Sequence, residues 1–243
     1  TRSARPAADA MLPRMFAVEA ALLLAACAAR GGEPAAAPRT SYAGEPVRGR
    51  KRVLLVTEEN ARKPYLEMAL RAGDDIDLEK LDPRAFDEKV ATGSLPAYTV
   101  IVLDDHTPAA LPPGPVHLLY FHPTGERAPF RLGRPLRHVE VDRVEGEHAV
   151  LRGVAIAGSR LDAAAELSVN PARGEIALAA AGQSAVIAGR SSPAGRVVAC
   201  SFRPTDTAWT LQATFAVFVH NALDWLAAGD RPRDPNEAKR KGF

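Results

Sequence analysis

An α/β domain is what this sequence predicts over residues 51 to about 229: a mainly parallel sheet with helices on both faces and an antiparallel extension in its second half. Three observations lead there. Residues 53–57 (VLLVT) and 98–103 (YTVIVL) are unbroken β-rich apolar runs, the pattern of strands buried on both faces. Helical periodicity follows each of the first two strands, and the resulting β-α-β-α-β-β order closes into a parallel sheet. From residue 137 the period shortens to two, and strands recur at hairpin spacing.

The elements follow in order. Residues 28–50 are Ala-, Gly-, Pro- and Arg-rich without apolar periodicity, a composition that cannot offset chain entropy, so they read as a linker without stable secondary structure. After the first strand a helix is expected over about 61–72. Tyr65, Leu66, Ala69 and Leu70 form its apolar stripe, Glu67 and Arg71 an outward i,i+4 pair, and Gly73 its stop. A short strand at 76–80 precedes a second helix, opened by Asp82 as N-cap and Pro83 at the first position, with Phe86 and Val90 inward. The strand over 98–103 ends in Asp104-Asp105-His106, and a Pro-rich connection leads to a strand over 116–121. Residues 137–144 alternate, and 175–180, 184–190 and 196–202 read as consecutive strands with turns at Gly182 and 191–195. A helix over about 212–227 buries Phe215, Phe218, Val219, Ala222 and Leu226, and residues 230–243 form a charged tail, expected to lack stable structure over 233–243.

With 243 residues, 47% of them hydrophobic, the chain can bury one substantial core, so one large domain with tails is the expected organisation. Residues 1–50 carry seven Arg against four acidic residues and residues 230–243 carry five Lys/Arg against three, so the body between them is mildly acidic although the whole is +2. A body without clustered basic residues is a poor match to a phosphate backbone, which excludes nucleic acid as the expected partner. Glu58-Glu59 stand where a phosphate loop needs glycines, so no nucleotide or other cofactor is expected. The two cysteines, Cys27 and Cys200, lie in unrelated segments and show no zinc-ligand spacing. Residues 11–27 hold an apolar stretch ending in Leu24-Ala25-Ala26-Cys27, the pattern of a lipoprotein signal with Cys27 as lipidation candidate. An Ala-rich helical stretch is the alternative, to which Glu19 adds weight.

Three stretches carry a family resemblance: RKRVLLVTEENARKPYLEMALRA, GEHAVLRGVAI and VVACSFRPTDTAWTLQATFAVFVHNALDWLA. Together they resemble the class I glutamine amidotransferase-like domain of bacterial membrane proteins that also carry a von Willebrand factor A domain, the aerotolerance-operon type. The resemblance implies a flavodoxin-like sheet, no enzymatic activity, a location at the bacterial cell envelope in association with the membrane, and a membrane-anchored protein partner. No Asp-x-Ser-x-Ser motif occurs, so the von Willebrand metal site does not carry over.

An active amidotransferase needs a nucleophilic Cys on a strand-to-helix elbow beside a His. The two places for such an elbow, 103–106 and 121–125, lack Cys. Cys200 lies within VVACSF and reads as a buried apolar side chain, and Ser184 as a turn residue. Asp104, Asp105 and His106 sit at the carboxyl end of a parallel strand, where open α/β sheets bind ligands, with His122 as the partner across the sheet. Consecutive side chains of an extended segment diverge, so a working cluster there requires a turn. His148 matches the family's His-Pro-like segment with Ala149 for Pro, and reads as a loop anchor. Asp206, Trp209 and Trp225 belong to the closing motif. The two Trp read as packing residues seeking a carbonyl for their N–H, and His220 with Asp224 as a solvated i,i+4 pair. The expected function is a non-catalytic interaction or scaffold domain. The alternative is a hydrolase-type enzyme with its site at Asp104, Asp105, His106 and His122.

Overall fold

The computed structural model describes residues 50–58 and 64–228; the residues 11–27, Cys27, most of the linker and the charged tail lie outside the described residues. The elements are β1 (Lys51–Val56), α1 (Tyr65–Arg71), β2 (Ile76–Leu81), α2 (Pro83–Ala91), β3 (Val100–Asp104), β4 (Leu118–Phe121), β5 (Leu132–Glu140), β6 (Arg143–Val144), β7 (Arg160–Leu167), β8 (Glu175–Ala181), β9 (Ser184–Ser192), β10 (Gly195–Cys200) and α3 (Ala213–Ala227). Strands β2, β1, β3, β4 and β10 lie side by side in that order, all parallel. This is the doubly wound 2-1-3-4-5 order of flavodoxin-like sheets, with β10 in fifth place. β9 runs antiparallel to β10 and pairs with both β7 and β8, which carry β5 and β6.

The alternation of side chains along each strand divides the core in two. Val53, Leu55, Val100, Val102, Leu119, Phe121, Val198 and Cys200 face one side, packed with Leu66 and Leu70 of α1 and Phe215, Phe218 and Val219 of α3. Leu54, Val56, Ile101, Leu103, Leu118, Tyr120 and Ala199 face the other, with Phe86 of α2 and Phe130. The apolar runs in the sequence have this cause: both faces are covered. Phe86, Phe121, Phe215 and Phe218 are fully buried, and truncating any of them to Ala would cost about 3–5 kcal/mol. Asp82 caps α2, its carboxylate accepting from Ala85 N at 3.0 Å, and Arg71 donates to Glu67 at 2.9 Å.

Three local expectations are corrected. β7 was not expected as a strand; its DAAAEL run has no β-branched or aromatic residue, and pairing to β5 overrides that weak propensity. β5 begins well before residue 137 and contains Pro135, tolerated because among described strands β5 pairs only with β7. His220 and Asp224 do not pair. The His220 ring meets the Ala69 carbonyl at 3.0 Å, joining α3 to α1, and Asp224 accepts from Lys51 Nζ at 2.8 Å. Lys51, its side chain 2% exposed, also bonds Asp75, so one ammonium ties β1 to the turn before β2 and to α3. Gly73 follows α1 as expected, and a Cβ there would collide with the His220 ring.

Candidate functional site

The carboxyl ends of β1, β3, β4 and β10 meet along one edge, and each strand delivers a polar residue to it. β1 is followed by Thr57, β3 ends in Asp104 and is followed by Asp105, β4 is followed by His122, and β10 leads through Ser201 to Arg203. Asp104 is largely buried and accepts from Thr57 Oγ1 at 2.8 Å. This bond spans β1 and β3, the switch point at which the strand order reverses. Burial raises the Asp104 carboxyl above the ordinary range, more than the Thr57 hydrogen bond lowers it.

Asp105 and His122 both adopt left-handed backbone, φ 52° and 50°. For non-glycine residues this is strained and recurs at functional sites. The turn at Asp105 separates it from Asp104 and aims it along the edge, where Oδ1 meets His122 Nδ1 at 2.6 Å and Oδ2 accepts from Arg203 Nε at 2.7 Å. Partial burial alone would raise Asp105, but hydrogen bonds from Arg203 and His122 outweigh it and hold the carboxyl below its usual value. The same bond to Asp105 raises Arg203. Arg203 is held from below by Asp206, which accepts from the Arg203 backbone N at 3.3 Å.

Of the four predicted site residues, Asp105 and His122 come together, and Asp104 is engaged by Thr57. His106 does not join them: its Nε2 meets Asp87 at 3.2 Å and its ring packs edge-on against Phe86. Arg203 was not foreseen. Residues 196–202 read as the last of three hairpin strands, and only the parallel pairing of β10 with β4 places the residues after it on the ligand edge.

Cys200 is fully buried on the α3 side of the sheet, and desolvation pushes its thiol well above the usual value. Its carbonyl accepts from His122 N at 2.8 Å, so the thiol lies one residue short of the edge but faces the core. Ser201, also fully buried, has a hydroxyl without a hydrogen-bond partner among the described residues. Ser184 opens β9 at the tight turn from β8, as expected, and accepts from Arg134. His148 is fully buried; its Nδ1 accepts from Val150 N at 3.3 Å and its ring lies 5.2 Å from that of Trp225. Burial, with the Arg196 charge, pushes it down to about 4. The Trp209 indole donates to the Thr214 hydroxyl at 3.0 Å rather than to a carbonyl. Among the described residues no group of three or more His, Cys, Asp or Glu is placed to hold a metal.

Chemically, the edge offers an Asp–His pair of the kind that orients an imidazole, with a guanidinium fixing the Asp. In that arrangement Asp105 holds Nδ1 and leaves Nε2 for a ligand, because a neutral imidazole presents one donor and one acceptor.

No protein-family model matches the chain, and no curated protein matches it. Solved structures do. "Cytoplasmic Protein STM1381" from Salmonella typhimurium LT2 superposes with a TM-score of 0.53 at 12% identity, covering 72% of this chain and 99% of that one. "Cytoplasmic Protein STM3548" from Salmonella typhimurium gives 0.52 at 10% identity, with 72% and 98% covered. A candidate GMP synthase component from Thermoplasma acidophilum gives 0.47 at 10% identity, with 80% and 100% covered. The membrane-associated envelope location expected from the sequence is corrected by these findings. Two of the structural neighbours are described as cytoplasmic, and among the described residues no helix is long and apolar enough to cross a membrane. What these likenesses share with the strand order above is the fold: an α/β domain with a flavodoxin-like parallel core and an antiparallel extension.

Proposed function

We propose that this chain is a non-catalytic, amidotransferase-like recognition domain that binds a protein partner through the carboxyl edge of its parallel sheet. One observation carries the reading. The strand-end turn after β4, one of the two places where an amidotransferase-like domain could carry its nucleophile, holds His122, tied to Asp105 and through it to Arg203, while the one described thiol faces the core. A buried thiol held protonated attacks poorly. The test is ammonia release from glutamine by wild type and Cys200→Ser, with a diazo-ketone analogue of glutamine as covalent probe. Neither protein should turn over or be labelled. Wild-type turnover that vanishes in Cys200→Ser, or labelling at Cys200, overturns the reading.

A second reading, a hydrolase at the same edge, is favoured by the 2.6 Å contact between Asp105 and His122. It predicts ester hydrolysis lost in His122→Gln. Hydrolysis indifferent to that change removes this reading.

A further inference from the structure

Away from the Asp105–His122–Arg203 edge, the antiparallel extension forms a groove of about 540 Å³, lined from β6, β7, β8 and the start of β9. We propose that this groove binds a small molecule made of a protonated amine on an apolar body. Its volume lies in the range of small-molecule sites and exceeds what one side chain of a partner fills. Small side chains line much of it: Ala177, Ala180 and Ala185 are in the lining, and Ala180 pairs directly with Ala185. Buried Leu167 completes an apolar wall.

The charges in the lining select the ligand. Glu145 and Glu166 both line the groove and form no ion pair among the described residues. Arg143 lines it too, but its guanidinium donates to the Gly182 carbonyl. The lining thus carries two carboxylates against one guanidinium, a net negative charge. That net charge disfavours an anionic ligand and gives a neutral one nothing, whereas a cation gains from it. An ammonium on an aliphatic or aromatic stem meets both halves.

The full chain, labelled with ¹⁵N, is titrated with n-hexylamine, and with n-hexanol and hexanoate as size-matched controls. Saturable shifts of the Ala177, Ala180 and Gln183 amides are expected with the amine at millimolar concentration, with weaker shifts for the alcohol and none for the acid. Replacing both carboxylates (Glu145→Gln with Glu166→Gln) should weaken the amine roughly fivefold to tenfold, the range for ion pairs at a solvent-open site. Ala180→Leu, which fills the floor, should abolish binding. Both carboxylates lie outside the buried core, so unchanged amide positions elsewhere certify the fold of the double variant. Hexanoate binding as tightly as hexylamine, amine shifts that never saturate, or a double variant with unchanged affinity each overturn the proposal.

Discussion

Acidification should destabilise this domain through His148 at pH values above those at which the contribution of Asp75 is lost. The imidazole is fully buried, packs against Trp225, and has its pKa pushed down to about 4 by burial and by the Arg196 charge. In the unfolded chain the same group returns to about 6.5. A depressed folded pKa on a base means that the unfolded state binds the extra proton between pH 6.5 and 4. Stability therefore rises with pH across that window and is lost on the way down. For a shift of this size the loss between pH 7 and pH 5 is about 2 kcal/mol, growing to about 3 kcal/mol at pH 4. Asp75, lowered by Lys51, acts in a different window: its contribution is present above the ordinary Asp value of 3.8 and is lost only as pH falls through its lower folded value. Asp104, raised by burial, works against His148, because its protonation favours the folded state as pH falls. Comparison with a variant cancels both. Urea unfolding at pH 7, 6 and 5, run on wild type and His148→Gln, isolates the imidazole. The variant should be less stable at pH 7 yet show a slope smaller by about 2 kcal/mol over the interval. Equal slopes in the two proteins would refute the assignment.

Other perturbations follow from the same packing. Cys200→Ser should cost about 1 kcal/mol in urea denaturation, the price of a hydroxyl where a fully buried thiol packs, with no gain or loss of glutaminase activity. Gly195→Ala should cost about 3 kcal/mol or more, since φ is 122° and a Cβ there would overlap the Val116 backbone; a drop below about 1 kcal/mol in the same assay would contradict the close approach of β10 to that loop. Lys51→Met keeps the buried stem and removes two ion pairs to half-exposed Asp75 and Asp224, so about 1 kcal/mol is expected, whereas Lys51→Ala should lose about 2 kcal/mol more for the missing methylenes. Arg203→Ala removes a bond between groups both about two-fifths exposed, and the thermal midpoint should register less than about 1 kcal/mol.

Much of the parallel core was legible because its strands are short, continuous and covered on both faces, so β1 and β3 stand out as apolar runs and Asp82-Pro83 marks the start of α2. β7 was not, because alanine reads as helix when its partner strand is unknown. The Asp105–His122 contact was half legible: residues at adjacent strand ends could be named as partners, but the left-handed turn that separates Asp105 from Asp104 has no glycine to announce it. Arg203 was hidden for a topological reason. Hairpin spacing identifies β9 and β10 as neighbours and says nothing of what lies on the far side of β10. His220 and Asp224 show the limit of helix-face reasoning, since i,i+4 geometry placed them together while tertiary partners, the Ala69 carbonyl and Lys51, took both.

The fifth place of β10 has a consequence for how the chain comes off the ribosome. A nascent chain that has reached residue 194 has made every other strand, yet β4, with its Leu-Leu-Tyr-Phe sequence, still lacks a neighbour where Val197–Cys200 belong. Pairing Leu118 with Val197 closes a long excursion through β5 to β9, so the domain is of high contact order and should fold slowly and only after synthesis passes residue 200. Until then an apolar edge stands open to other chains. Fragments ending before β10 should accumulate as aggregates, and release of soluble protein from stalled ribosomes should rise sharply once residues 195–200 have cleared the exit tunnel.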